Sequence, residues 1–139
     1  MFARKIASYA AIATLYSGSL MAANVHLDIT DIAALNGEIL VVLYDSPEDY
    51  SQSGAPLVSR KIPASAETVS TAFQDLPAGD YAIKLFHDEN SNGQLDTNMM
   101  GLPKEGYGFS NNAGRFGPAS YEEAKFSVTE DTQITIKLR

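Results

Sequence analysis

The sequence predicts an all-β domain: an antiparallel β-sandwich of about seven strands that carries one long irregular loop. Three observations predict it. Short runs of β-branched and aromatic residues alternate in polarity with a period of two, Gly, Pro, Asn and Asp separate those runs, and no long stretch has the spacing of an amphipathic helix. Sheets made of such runs must bury their apolar faces against one another, which a sandwich does.

Residues 1–23 stand apart from this pattern. Arg4 and Lys5 make a basic start, Ile6–Leu20 is mostly apolar and small, and Met21-Ala22-Ala23 follows. That order predicts a signal-peptide helix cut after Ala22 or Ala23, too short and too polar to anchor the chain in a membrane. The expectation is a periplasmic or secreted single domain, residues 24–139, with no membrane insertion of the mature chain. Removing Arg4 and Lys5 with the leader takes the net charge from −7 to −9. A chain this acidic repels nucleic acid and anionic lipid, and favours cations. With no cysteine, lipid attachment at a cleavage-site thiol, disulfides, thiolate catalysis and cysteine-bound zinc are all excluded.

The strands follow in order. "VHLDIT" turns Val25, Leu27 and Ile29 one way, with His26 and Asp28 the other, and "GEILVVLY" (Gly37–Tyr44) is apolar on both faces, as a central strand is. A weaker strand is expected near Leu57–Ile62. "ETVSTAFQ" presents Val69, Thr71 and Phe73 together, and "DYAIKLFH" presents Tyr81, Ile83 and Leu85. "EEAKFSV" aligns Ala124, Phe126 and Val128, and "TQITIKL" aligns Ile134, Ile136 and Leu138. "YDSPEDYSQSGAP" (Tyr44–Pro56) reads as a solvated connection. "LPAG" (Leu76–Gly79) reads as a type I turn joining two strands, with Pro77 setting the first central dihedral.

Between Asp88 and Ser120 the alternation stops. Six of the ten glycines fall here, and no strand or helix is evident. So long a connection within one domain implies a function or a clamp. Some of its apolar residues must dock on the sandwich.

Two resemblances bear on the chain as a whole. "FQDLPAGDYAIKL" resembles a hairpin of transthyretin-like and carboxypeptidase-regulatory-type sandwiches, of the broader immunoglobulin-like kind. "HDENSNGQLDTNMMGLPKEGYGFSNNAGRFGP" followed by "SYEEAKFSV" resembles an exported bacterial family described as domain of unknown function 2141. That second resemblance implies a small exported β-sandwich with no established activity.

Two clusters could carry function. In "HDENSNGQLDTN", oxygen-bearing side chains recur at alternate positions around a glycine. With Asp88 first, Asn90, Asn92, Gln94 (through its carbonyl) and Asp96 stand at positions that can ligate Ca2+, and Gly93 permits the turn. Met99 replaces the bidentate glutamate at the twelfth position; Glu105 or Glu89 could supply a carboxylate instead. The same residues also suit a turn that closes on its own backbone, so both readings stand at this point. The second cluster is Tyr107, Phe109, Asn111, Asn112 and Phe116, either a recognition surface for a protein or glycan in the cell envelope, or a plug for the end of the sandwich. His87 is expected to hydrogen-bond near the loop and His26 to face solvent. Ser110 lacks the setting of an esterase nucleophile. The expected role is a non-catalytic accessory or binding module; the alternatives are a small hydrolase using residues 87–120, or a structural subunit of an envelope assembly.

Overall fold

β1 (Ala22–Thr30) opens the fold with strict alternation, Val25, Leu27 and Ile29 fully buried and His26 exposed. The structure is a computed structural model describing residues 21–139. Most of the expected signal peptide, residues 1–20, lies outside the described residues. Its expected cleavage residues do not: Ala22 pairs with Pro77, and Ala23 is buried opposite Leu76.

β2 (Glu38–Tyr44), α1 (Pro47–Gln52), β3 (Val58–Pro63), β4 (Val69–Pro77) and β5 (Gly79–Asp88) follow. β6 (Tyr107–Phe109), α2 (Tyr121–Ala124), β7 (Phe126–Val128) and β8 (Thr132–Lys137) complete the chain. One sheet runs β4-β1-β8. The other runs β3-β2-β5-β6, with β7 pairing the start of β5. The two pack face to face over Val25, Leu27, Phe73, Ile39, Val41, Leu43, Ile83, Leu85 and Ile136. Each such side chain contributes roughly 1.5–3 kcal/mol by leaving water, so this layer holds the fold.

The sandwich is as expected, with four local corrections. First, one sheet is mixed: β8 lies parallel to β1, with Val25 opposite Thr132 and Ile29 opposite Ile136. A parallel neighbour needs a crossover rather than a hairpin, and here the crossover is the whole of the intervening chain. Second, Leu76–Gly79 is a corner between sheets and not a hairpin turn. β4 pairs with β1, whereas β5 pairs with β2, β6 and β7. The Tyr81 hydroxyl donates to the Pro77 carbonyl and braces that corner. Third, Tyr44–Pro56 is not merely a connection. Ser46 caps α1 by accepting from the Asp49 amide at 3.2 Å, Pro47 suits the first helical position, and Tyr50 is buried. Fourth, the strand expected from Glu122 begins only at Phe126. Ser120 and Glu123 form a reciprocal capping box that turns Tyr121–Ala124 into helix first.

Those two short helices explain why β2 is apolar on both faces. A second cluster (Tyr44, Tyr50, Ala82, Phe109, Ala119, Tyr121 and Ala124) covers part of the outer face of the β3-β2-β5-β6 sheet. Tyr50 is its centre. Its ring meets Tyr44 and Tyr121 edge-on at 5.6 and 5.7 Å, and its hydroxyl donates to the Ala119 carbonyl at 2.9 Å.

Burial, then the nearby charge of Glu123, pushes the Tyr50 hydroxyl up to about 12. An unfolded tyrosine ionises near 10, so the folded state favours the neutral form. The resulting stability is complete below pH 10 and disappears as pH rises through 12. Urea melts across that window should show a loss on the order of 2 kcal/mol, and Tyr50→Phe should flatten the part due to this residue.

Candidate ligand groove and its bounding loop

The loop expected to be irregular is pinned by two buried carboxylates. Asp88, only 1% exposed at the end of β5, accepts the Asn92 amide at 3.1 Å and the Gly93 amide at 2.7 Å. Glu105, buried just before β6, accepts the Glu89 amide at 3.1 Å and the Asp96 amide at 3.0 Å. Charge-assisted bonds to backbone amides are among the stronger hydrogen bonds in a protein. Four donors that a loop would otherwise leave unpaired are thus satisfied.

Beyond this clamp the chain forms a small lobe. The Lys104 amide donates to the Asp96 carbonyl at 2.8 Å, the Asn98 amide donates to the Leu102 carbonyl at 2.8 Å, and Thr97 bridges Pro103. Asn98 closes the tip by accepting from the amides of Met100 and Leu102. The tip holds Met99 and Met100 out into solvent.

Four of the five candidate metal residues engage their side chains in hydrogen bonds within the loop. Asn90 and Asn92 donate their side-chain amides to the two carboxylate oxygens of Asp96, the second at 2.8 Å. Gln94 is exposed, and its backbone amide donates to the Asn92 side chain at 2.9 Å. Asp88, Asn90, Asn92 and Asp96 thus belong to one hydrogen-bonded turn. Among the described residues, no group of three or more His, Asp or Glu side chains is placed to hold one ion.

The lobe has a second consequence: it walls a groove. The floor is the uncovered part of the outer sheet face, where β2 contributes Val42 and Tyr44, β5 contributes Lys84 and Phe86, and β6 contributes Tyr107 and Phe109. Leu95, Thr97, Leu102 and Pro103 form one wall; Arg115, Phe116, Gly117 and Pro118 form the other. The groove encloses about 650 Å³ and its lining is largely apolar. Gly108 lets β6 reach this position, because a Cβ there would come within 2.6 Å of the Ile136 side chain on the opposing sheet.

Two cations face this groove. The Lys84 ammonium donates to the Tyr50 carbonyl at 2.5 Å and lies 4.1 Å from the centre of the Tyr50 ring. Partial burial pulls its pKa below the ordinary lysine value. Arg115 lies over the Phe116 ring at 5.6 Å. Neither has a carboxylate partner among the described residues.

The expected recognition residues divide between two roles. Tyr107, Phe109 and Phe116 all line the groove, although Phe109 is also part of the second apolar cluster. The amides of Asn111 and Asn112 serve as straps. Asn111 donates to the carbonyls of Glu123 and Lys125 at 3.1 and 2.8 Å, and Asn112 accepts the Lys137 amide at 2.8 Å. Both sit at positive φ, a conformation asparagine tolerates better than most residues. β6 and this strapped turn correct the expectation that Asp88–Ser120 lacks regular structure. Ser110 is fully buried, donating to the Ala124 carbonyl and accepting the Ile83 amide. His87, 1% exposed, places Nε2 2.6 Å from the Asn36 carbonyl.

A family model described as an uncharacterized protein conserved in bacteria, domain of unknown function 2141, matches residues 27–137. The chain belongs to that family. The match extends from β1 to β8, so the groove and its bounding loop lie within the family's own span. Comparison with curated proteins and with solved structures found no match. Lys84, Phe86, Leu95, Leu102 and Arg115 were not singled out from sequence. The available signal was Lys84 and Phe86 at the outward positions of "DYAIKLFH".

Asp88→Ala removes the acceptor of two backbone amides at the base of the lobe. It should destabilise the domain by roughly 2–4 kcal/mol in urea unfolding. Asp88→Asn, which keeps an acceptor oxygen, should cost less.

Proposed function

We propose that this chain is an exported, non-catalytic binding module whose ligand site is the groove between the 95–103 lobe and the 115–118 segment. The observation that carries this reading is an apolar groove of about 650 Å³ with a few placed polar groups, a common form of small-ligand site. Its two walls carry Leu102 and Phe116, exposed apolar side chains that a ligand could cover. The non-catalytic part of the reading is supported by His87 and Ser110. Each is buried and hydrogen-bonded, and neither lines the groove. The apolar rims would also suit a structural subunit of an envelope assembly, but the concavity between them favours a ligand.

The test uses N-phenylnaphthylamine, a neutral dye whose emission rises in apolar surroundings. Native protein should bind it, and a Leu102→Ser, Phe116→Ser variant should bind it several-fold more weakly. Because these two side chains are exposed, the variant's melting temperature should shift by no more than about 2 °C. Phe109→Ala, by contrast, should cost roughly 3–5 kcal/mol, as deletion of a buried aromatic does. Failure of the native protein to bind the dye would overturn the reading.

A second reading concerns calcium. A weak Ca2+ site at residues 88–96 would form if the Asn90 and Asn92 oxygens gave up the Asn92 and Gln94 amides they now accept and turned toward Asp96. One preparation from the cell envelope tests both this and export. Its intact mass should start at Ala23 or Asn24. Millimolar calcium should raise its melting temperature by several degrees over chelator, an effect absent in Asp96→Ala. Equal melts would remove the ion.

A further inference from the structure

We infer that the groove takes a single-chain amphiphile with an anionic head, the ammonium of Lys84 and the guanidinium of Arg115 receiving the head and the apolar sheet face receiving the chain. The inference rests on the groove being a binding site, as proposed above. Charge supports the anionic head. In a chain of net charge −7, two cations without carboxylate partners among the described residues face the same groove. Lys84 is held in place by the Tyr50 carbonyl and ring, so little side-chain freedom is lost when an anion arrives. One acceptor occupies one of its three protons, and two remain.

The floor supports an acyl chain over a peptide. The groove lies on the face of a sheet whose β2, β5 and β6 backbones are already paired in ladders. A peptide lying there would find few backbone partners for its own amides, and unpaired amides are costly to bury. A hydrocarbon chain makes no such demand. The walls add Leu95, Leu102, Pro103 and Phe116, apolar side chains against which a hydrocarbon chain can lie.

Displacement of bound N-phenylnaphthylamine by dodecanoate and by dodecyltrimethylammonium, both below their micellar concentrations, tests the inference. Dodecanoate should displace the dye from native protein at a concentration lower by at least about tenfold. Lys84→Met should bring the displacing concentrations of the two amphiphiles close together, Lys84→Arg should keep them apart, and Arg115→Gln should narrow the gap. Equal displacement by the two amphiphiles, unchanged in Lys84→Met, would overturn the anionic head and leave the apolar groove standing. Dye binding that neither amphiphile displaces would overturn the acyl chain as well. Absence of dye binding by native protein would remove the groove, and the inference with it.

Discussion

Two buried carboxylates decide what the far side of this sandwich looks like. Among the described residues, no Lys, Arg or His pairs with Asp88 or Glu105; each is held by two backbone amides instead. A buried charge is tolerated only when it is well solvated by its surroundings, and here the loop supplies that solvation. The dependence runs both ways: the carboxylates order the loop, and the loop makes their burial possible. Without the clamp, Asp96–Lys104 would have no reason to stand beside the sheet, and the groove would lose one wall.

The core sandwich and the second cluster divide the labour. The inner layer, built on Val25, Leu27, Ile39, Val41 and Ile83, sets where β2 and β5 lie. The outer cluster around Tyr50 covers one part of the same sheet and leaves the rest open. The boundary between covered and open sheet falls at Lys84, whose ammonium is tied to Tyr50 on one side and faces the groove on the other. Position along a single strand thus separates the covered sheet face from the open groove.

The β-sandwich was legible because burial of a sheet face imposes a period of two, which β1 follows throughout and β2, β4 and β5 follow over most of their length. The inter-sheet corner at Leu76–Gly79 was not, because local turn chemistry fixes the bend and says nothing of which sheet the next strand joins. α1 and α2 were overlooked although both are announced by their caps, Ser46-Pro47 and Ser120 with Glu123; with six and four residues they carry too little periodicity to register. For the loop, alternate oxygens at Asp88, Asn90, Asn92 and Asp96 were visible, but the clamp is completed by Glu105, whose return to the Glu89 and Asp96 amides the spacing of the motif does not place. The groove was still less legible. Its floor comes from three strands and its walls from two segments, and only Tyr107, Phe109 and Phe116 announced themselves by composition.

The parallel pairing of β1 with β8 has a kinetic side. Val25 meets Thr132 and Thr30 meets Lys137, contacts that close nearly the whole length of the domain. Closing so long a chain segment costs entropy before any contact rewards it, and folds rich in such distant pairings assemble slowly. β1 is the middle strand of its sheet, so that sheet cannot be completed until residues 132–137 have emerged. A chain still being synthesised would therefore leave one edge of β1 open, its apolar face only partly covered, until β8 arrives.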